Sequence, residues 1–254
     1  MSQKIKRIRA DELLVLNKLC DSRTQAKTLI LAGQVRMGTE RIEKSSRMLP
    51  ENTELQLVEQ LKYVGRGGLK MENFLTDSGY KVAGLHVLDL GASTGGFTDC
   101  LLQQGASEAT CVDVGHGQLH YRLRTDERVH NFEKTNLRNI TPQDIPDCPF
   151  PFIVMDLSFI SLRKVLPAAW SFLAPRGKII SLVKPQFECK KEEADSGKGI
   201  IRDPEIHKRV LDEIKQFAKI NLSGSSLLAE KSARPQGTDG NQEFFLCWEK
   251  KTTA

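Results

Sequence analysis

From Val64 onward, short apolar runs alternate with stretches of helical periodicity, the pattern of a parallel sheet covered by helices. The runs predict strands over His86–Leu90, Ala109–Val114, Val129–Phe132, Phe152–Asp156, Lys178–Lys184, Ser226–Glu230 and Glu243–Trp248. Helical stretches fall near 96–104, 163–173 and 205–220. In the last, Ile206, Val210, Ile214 and Phe217 mark a core-facing stripe. Residues 190–199 are glycine-rich and charged and read as a mobile loop, either folding over a ligand or simply solvated.

The front of the chain follows another rhythm. Ala10–Lys18 reads as a short helix, with Leu13, Leu14 and Leu16 supplying apolar surface. Ser22-Arg-Thr-Gln25 spells a capping box for a second helix, which runs through Ala26, Leu29 and Ile30 and stops at Gly33. Two short strands, Gln34–Met37 and Arg41-Ile42, follow around a turn at Gly38-Thr39.

The first strand of the larger part runs into Asp89-Leu90-Gly91-Ala92-Ser93-Thr94-Gly95-Gly96-Phe97, a glycine-rich turn at a helix start. Such a turn lets backbone N–H groups approach a ligand closely. The spacing is not the G-x-G-x-x-G of dinucleotide folds. An acid ahead of the first glycine, with D-L-G-x-x-x-G-G, resembles motif I of S-adenosylmethionine-dependent methyltransferases.

Ligands of open α/β sheets collect at the carboxyl ends of the strands. After the second strand stands Asp113, followed by Val114 and Gly115, about 24 positions beyond Asp89. An acid there can accept both ribose hydroxyls of an adenosine. After the third come Asn136 and Leu137, placed to flank an adenine, and after the fourth comes Asp156. Lys184 closes the apolar run Ile179–Val183 and precedes Pro185, which stops strand pairing. Partial desolvation and nearby cations would let this amine take a proton. Asp156-Leu-Ser-Phe159 lacks the prolines of amine-methylating enzymes, so lysine plus aspartate suits a hydroxyl acceptor.

Charge changes the picture at the front. Residues 1–50 hold 11 Lys/Arg against 5 Asp/Glu, whereas beyond residue 63 the counts are 25 and 24. A basic front on a nearly neutral body suits a polyanion, and Arg9, Arg23, Lys27, Arg36 and Arg41, with Arg66 just beyond, are the candidate phosphate contacts. The six cysteines stand singly, and His116 and His120 lack a third ligand, so no metal site is expected. No run is long enough to span a membrane and no secretory signal opens the chain, which points to a cytoplasmic protein without a membrane partner. The oligomeric state is not legible.

Arg9-Ala-Asp-Glu-Leu-Leu14, Ser22–Ile30 and Ala32-Gly-Gln-Val-Arg36 resemble the S4 RNA-binding domain, although Met37-Gly-Thr39 replaces that family's Val-Asn-Gly. Gly65–Lys70, Asp89–Thr98, Asp113–Leu119, Asp156–Leu162, Lys184–Glu188, Gly197–Asp203 and Gly240–Leu246 resemble the FtsJ-type ribose 2′-O-methyltransferases. Together they resemble, nearly end to end, the haemolysin A (TlyA) family of ribosomal RNA methyltransferases; Gly65 stands where most members have Ser. The resemblance implies an S4-like α+β domain over residues 1–63. It also implies a Rossmann-like α/β methyltransferase domain over 64–254, with a seven-stranded sheet ending in an antiparallel hairpin. It implies S-adenosylmethionine as cofactor, no metal, and ribosomal RNA or ribosomal subunits as partner, with a cytidine ribose as target. It maps a Lys-Asp-Lys-Glu tetrad onto Lys70, Asp156, Lys184 and Glu243. Without it, Lys70 reads as a helix-surface cation and Glu243 as an acid at a strand start. The competing readings are a membrane-active haemolysin, a non-catalytic RNA-binding assembly factor and a NAD-dependent oxidoreductase.

Overall fold

The computed structural model describes residues 6–31, 33–58, 62–237 and 239–252; Ala32 and the N-terminal residues 1–5 of the sequence reading lie outside them. The chain divides into two compact units, Met1–Leu61 and Lys62–Ala254. The first contains β1 (Arg7–Arg9), α1 (Ala10–Leu16), α2 (Arg23–Leu31), β2 (Val35–Met37), β3 (Glu40–Arg41), β4 (Met48–Pro50) and β5 (Gln56–Leu57). β1 pairs with β4, and β2 lies between β3 and β5, all antiparallel. Leu13, Leu14, Ile30, Val35, Ile42 and Leu49 form the core. Leu16, expected to add apolar surface to it, is exposed. The cap of α2 also differs in detail. Ser22 Oγ accepts the Gln25 N–H at 3.2 Å, but the Gln25 side chain accepts the Asp21 N–H, at 3.0 Å, and not that of Ser22.

The second unit runs α3 (Gly67–Ser78), β6 (His86–Leu90), α4 (Gly96–Gln103), β7 (Glu108–Val112), α5 (Tyr121–Arg124), β8 (Val129–Phe132) and β9 (Phe150–Met155). A 3-10 turn, Leu162–Lys164, then leads to α6 (Leu166–Ser171), β10 (Leu173–Val183), α7 (Pro185–Glu188), α8 (Lys191–Ser196), α9 (Pro204–Asn221), β11 (Ser225–Ser232) and β12 (Phe244–Lys250). The seven strands lie in the order β11-β12-β10-β9-β6-β7-β8. The run from β10 to β8 is parallel, and β12 is antiparallel to both its neighbours. The chain winds outward in opposite directions from β6 and β9, so a crevice opens between their carboxyl ends.

Both faces of this sheet are covered, which is why its strands read as apolar runs. Leu88, Leu90, Ile153 and Met155 face α6 and α9, while Val87, Phe152 and Val154 face α3 and α4. The alternation is the two-residue period of a strand. On α9, Val210, Leu211, Ile214 and Ala218 are buried, with Ile206 and Phe217 packed at the margin.

Two expectations are corrected. The stretch 190–199 is not all loop: α8 is closed by Glu193, which accepts the Lys190 N–H at 2.9 Å and pairs with Arg209 on α9 at 2.6 Å. The helix expected near 163–173 is divided between the 3-10 turn and α6, and Leu173 already pairs with β9 across an irregular stretch at Arg176 (φ +62°).

Candidate active site

The glycine turn joins β6 to α4. Gly91 has φ +84°, and its N–H donates to the Val112 carbonyl at 2.8 Å. A Cβ there would come within 2.7 Å of the Asp156 carbonyl oxygen, so only glycine lets the ends of β6 and β9 close together. Behind the turn, Asp89 is 1% exposed. Its Oδ2 accepts the Thr98 N–H at 3.1 Å and the Thr98 hydroxyl at 2.7 Å, while Oδ1 has no partner. Burial pushes the carboxyl up to about 7; the Thr98 hydrogen bonds oppose this, and the charges of Asp156 and Asp113 add to it.

In front of the turn lies a cleft of about 520 Å³ lined by Gly91, Ser93, Asp113, Asn136, Leu137 and Asp156, among others. Asp113 is locked by two backbone donors, Ser93 N–H to Oδ2 at 2.8 Å and Gly115 N–H to Oδ1 at 2.7 Å. Its remaining lone pairs are free for ligand hydroxyls. Val114, 72% exposed, and Leu137 supply apolar walls. A smaller cavity of about 100 Å³ holds Asp89, Ala92, Thr94, Gly96 and Phe97, and it shares Gly91, Ser93 and Asp156 with the cleft.

Two ion pairs stand at the carboxyl ends of β9 and β10. Lys184 Nζ lies 2.5 Å from Asp156 Oδ1 and donates to Ser158 Oγ at 3.0 Å. Lys70 Nζ lies 2.5 Å from Glu243 Oε2. The ladder pairing Val183 with Phe244 brings Lys184 and Glu243, the next residue on each chain, to the same end of the sheet. The N-terminus of α3 reaches Asp156 as well, since a Cβ on Gly67 would lie 3.8 Å from Asp156 Oδ2. The reading of Lys70 as a surface cation is therefore corrected: it is 7% exposed and Glu243 3%, a buried pair joining α3 to the start of β12.

Other expected positions divide. Gly95 is tucked beneath Leu119 and Leu123, and Gly115 meets the site only through its N–H to Asp113. Phe97 packs against Phe245 while still bordering the small cavity. Within the first unit, Arg9 and Arg23 are held by the buried Asp11 at 2.9 and 3.2 Å, and Arg23 also by Glu12 at 3.0 Å. Lys27, Arg36 and Arg41 are exposed, and Arg36 and Arg41 are cross-strand partners. In the second unit Arg66 donates to the Gln236 carbonyl at 3.3 Å and is exposed. Sequence reasoning missed Thr98, Ser158 and Phe159. Phe159 lines the cleft 90% exposed, with φ +64° and its ring 5.1 Å from that of Phe187. A bulky residue in that backbone region is uncommon, and nothing in the neighbouring sequence announces it.

The donor set fits S-adenosylmethionine. Asp113 suits ribose hydroxyls, Val114 and Leu137 suit an adenine, and the orphaned Asp89 Oδ1 suits a cationic ammonium. Fold and site together define an S-adenosylmethionine-dependent methyltransferase. Residues 63–250 match the model of the FtsJ-like methyltransferases, and this chain belongs to that family. The Mycobacterium tuberculosis 16S/23S rRNA (cytidine-2′-O)-methyltransferase TlyA is 40% identical over 243 residues, 95% of this chain and 89% of its own. Hemolysin A of Brachyspira hyodysenteriae is 35% identical over 238 residues, 94% of this chain and 98% of its own. A solved Streptococcus thermophilus structure that carries a hemolysin name superposes with a TM-score of 0.73 at 40% identity, covering 98% of this chain and 90% of that one. Among the described residues, no helix is long and apolar enough to cross a membrane.

Proposed function

We propose that this protein methylates the 2′-hydroxyl of a cytidine ribose in ribosomal RNA, in the cytoplasm. The Asp156–Lys184 pair at the edge of the cofactor cleft carries the reading. When bound, S-adenosylmethionine supplies an electrophilic methyl group on a sulfonium. Asp113, Val114, Asn136 and Leu137 hold its nucleoside half, and Asp89 its ammonium. Lys184 Nζ stands where it can take the hydroxyl proton as the ribose oxygen attacks, and Asp156 orients the hydroxyl and pairs with the ammonium. The Lys70–Glu243 pair holds the strand ends that carry Lys184. Phe159 offers an exposed ring on which the target base can stack, a mode common in recognition of unpaired RNA. The first unit, S4-like in sequence, supplies Lys27, Arg36 and Arg41 for phosphate contact.

The test is tritiated methyl transfer onto separated ribosomal subunits from a strain lacking the protein, followed by mapping of the modified ribose. Lys184→Ala lowers kcat by about 10²–10⁴-fold while calorimetry still detects cofactor binding. Methylation of a base, or full turnover by the Lys184→Ala protein, overturns the reading.

A further inference from the structure

The cofactor cleft lies at the carboxyl ends of the strands, and three side chains that methyl transfer does not use meet at the amino ends. His86 opens β6, and Glu108 opens β7 as its direct partner in the parallel ladder. His130 stands two rungs further on β8, opposite Thr110. Glu108 and Thr110 share a face of β7, and paired residues share a face with each other, so all four side chains emerge on one side. His130 Nε2 lies 2.7 Å from Glu108 Oε2, and His86 Nε2 lies 2.8 Å from Thr110 Oγ1. The two imidazole centres are 5.7 Å apart. One ligand atom from each of His86, Glu108 and His130 falls within 4.8 Å of the other two, and all three residues are half-buried.

We propose that His86, Glu108 and His130 bind a divalent cation of the zinc class, which clamps β6, β7 and β8 together at the amino edge of the sheet. Two imidazole nitrogens and one carboxylate oxygen, with water as fourth ligand, suit zinc; magnesium and calcium favour all-oxygen sets. Ligands about 2.1 Å from zinc lie about 3.4 Å apart, so the wider separations in the cluster shrink while the 2.7 Å His130–Glu108 contact opens to that spacing. The His130–Glu108 contact is exchanged for two bonds to the metal, and Thr110 holds the His86 ring in orientation. The clamp ties in an edge strand, since among the described residues β8 pairs with β7 alone.

The test uses the full chain, stripped with EDTA and titrated with zinc chloride alone. Calorimetry gives one zinc per chain, and zinc a hundredfold above its Kd raises Tm by about 5 °C. Cobalt in its place gives d–d absorption without thiolate charge transfer. Glu108→Gln and His130→Ala abolish both signals, whereas His116→Ala, at the separate pair with Glu133, keeps them. Near-ultraviolet circular dichroism checks that each variant is folded. The proposal is overturned if zinc leaves Tm unchanged, if folded Glu108→Gln and His130→Ala bind as the unaltered chain does, or if cobalt reports sulfur ligation. None of these results bears on methyl transfer, whose residues lie at the other ends of the strands.

Discussion

Asp89 does more than introduce the glycine turn. It is a buried carboxyl with one satisfied and one orphaned oxygen, held up to about 7 chiefly by burial. Unfolded, it ionises near 4, so between about pH 4 and 7 the folded chain keeps a proton that the unfolded chain has released. Stability of the cofactor-free protein therefore declines as pH rises through that window. A bound ammonium reverses the preference. Cofactor binding should release about half a proton at pH 7 and close to one proton a unit or more below it, where affinity should fall about tenfold for each pH unit. Calorimetry in two buffers of different ionisation enthalpy checks this, and Asp89→Asn should flatten the dependence. Asp11 is the opposite case. Burial raises it, but hydrogen bonds from Arg9 and Arg23 outweigh that and hold the carboxyl below its ordinary range. Its contribution is present above about pH 4 and is lost as pH falls below it. Arg9→Ala should lower the urea midpoint, because it strips two hydrogen bonds from a carboxylate with no exposed surface and leaves Arg23 as its remaining partner.

The glycine turn was legible because its constraint is local: a strand, a positive φ and a helix start within ten residues. What the sequence could not say is how tightly β6 and β9 close across it. Gly91→Ala should cost about 2 kcal/mol or more and abolish cofactor binding, since its Cβ meets the Asp156 backbone. Gly84→Ala is the control, with a similar φ of +75° but open space around it. It should cost about 1 kcal/mol and leave binding intact. Thermal melts with and without cofactor separate the two. The α8 segment was misread for a related reason. Its composition is that of a loop, and the Glu193–Arg209 pair that ties it to α9 joins residues 16 apart in the chain.

Charge belongs to the whole chain. The basic excess of residues 1–50 overstates the cations free for RNA, because Asp11 and Glu12 hold Arg9 and Arg23. Replacing Lys27, Arg36 and Arg41 together by Ala should weaken binding to ribosomal RNA and lower the slope of log K against log salt by about 2–3. KM should rise with kcat retained at saturating RNA. Filter binding across a salt series checks it, and unaltered binding would remove the phosphate-contact role.

The parallel sheet, its glycine turn, Asp113 and the Asp156–Lys184 positions could be read from the chain alone, because strand period and strand-end chemistry are written in neighbouring residues. Lys70 and Glu243 could not be read without a family pattern, since they meet across 173 residues and each looks ordinary in its own segment. Phe159, the orphaned oxygen of Asp89 and the His86–Glu108–His130 cluster were wholly out of reach. Their properties arise from register and packing, which bring distant residues to one point and decide which polar atoms keep a partner.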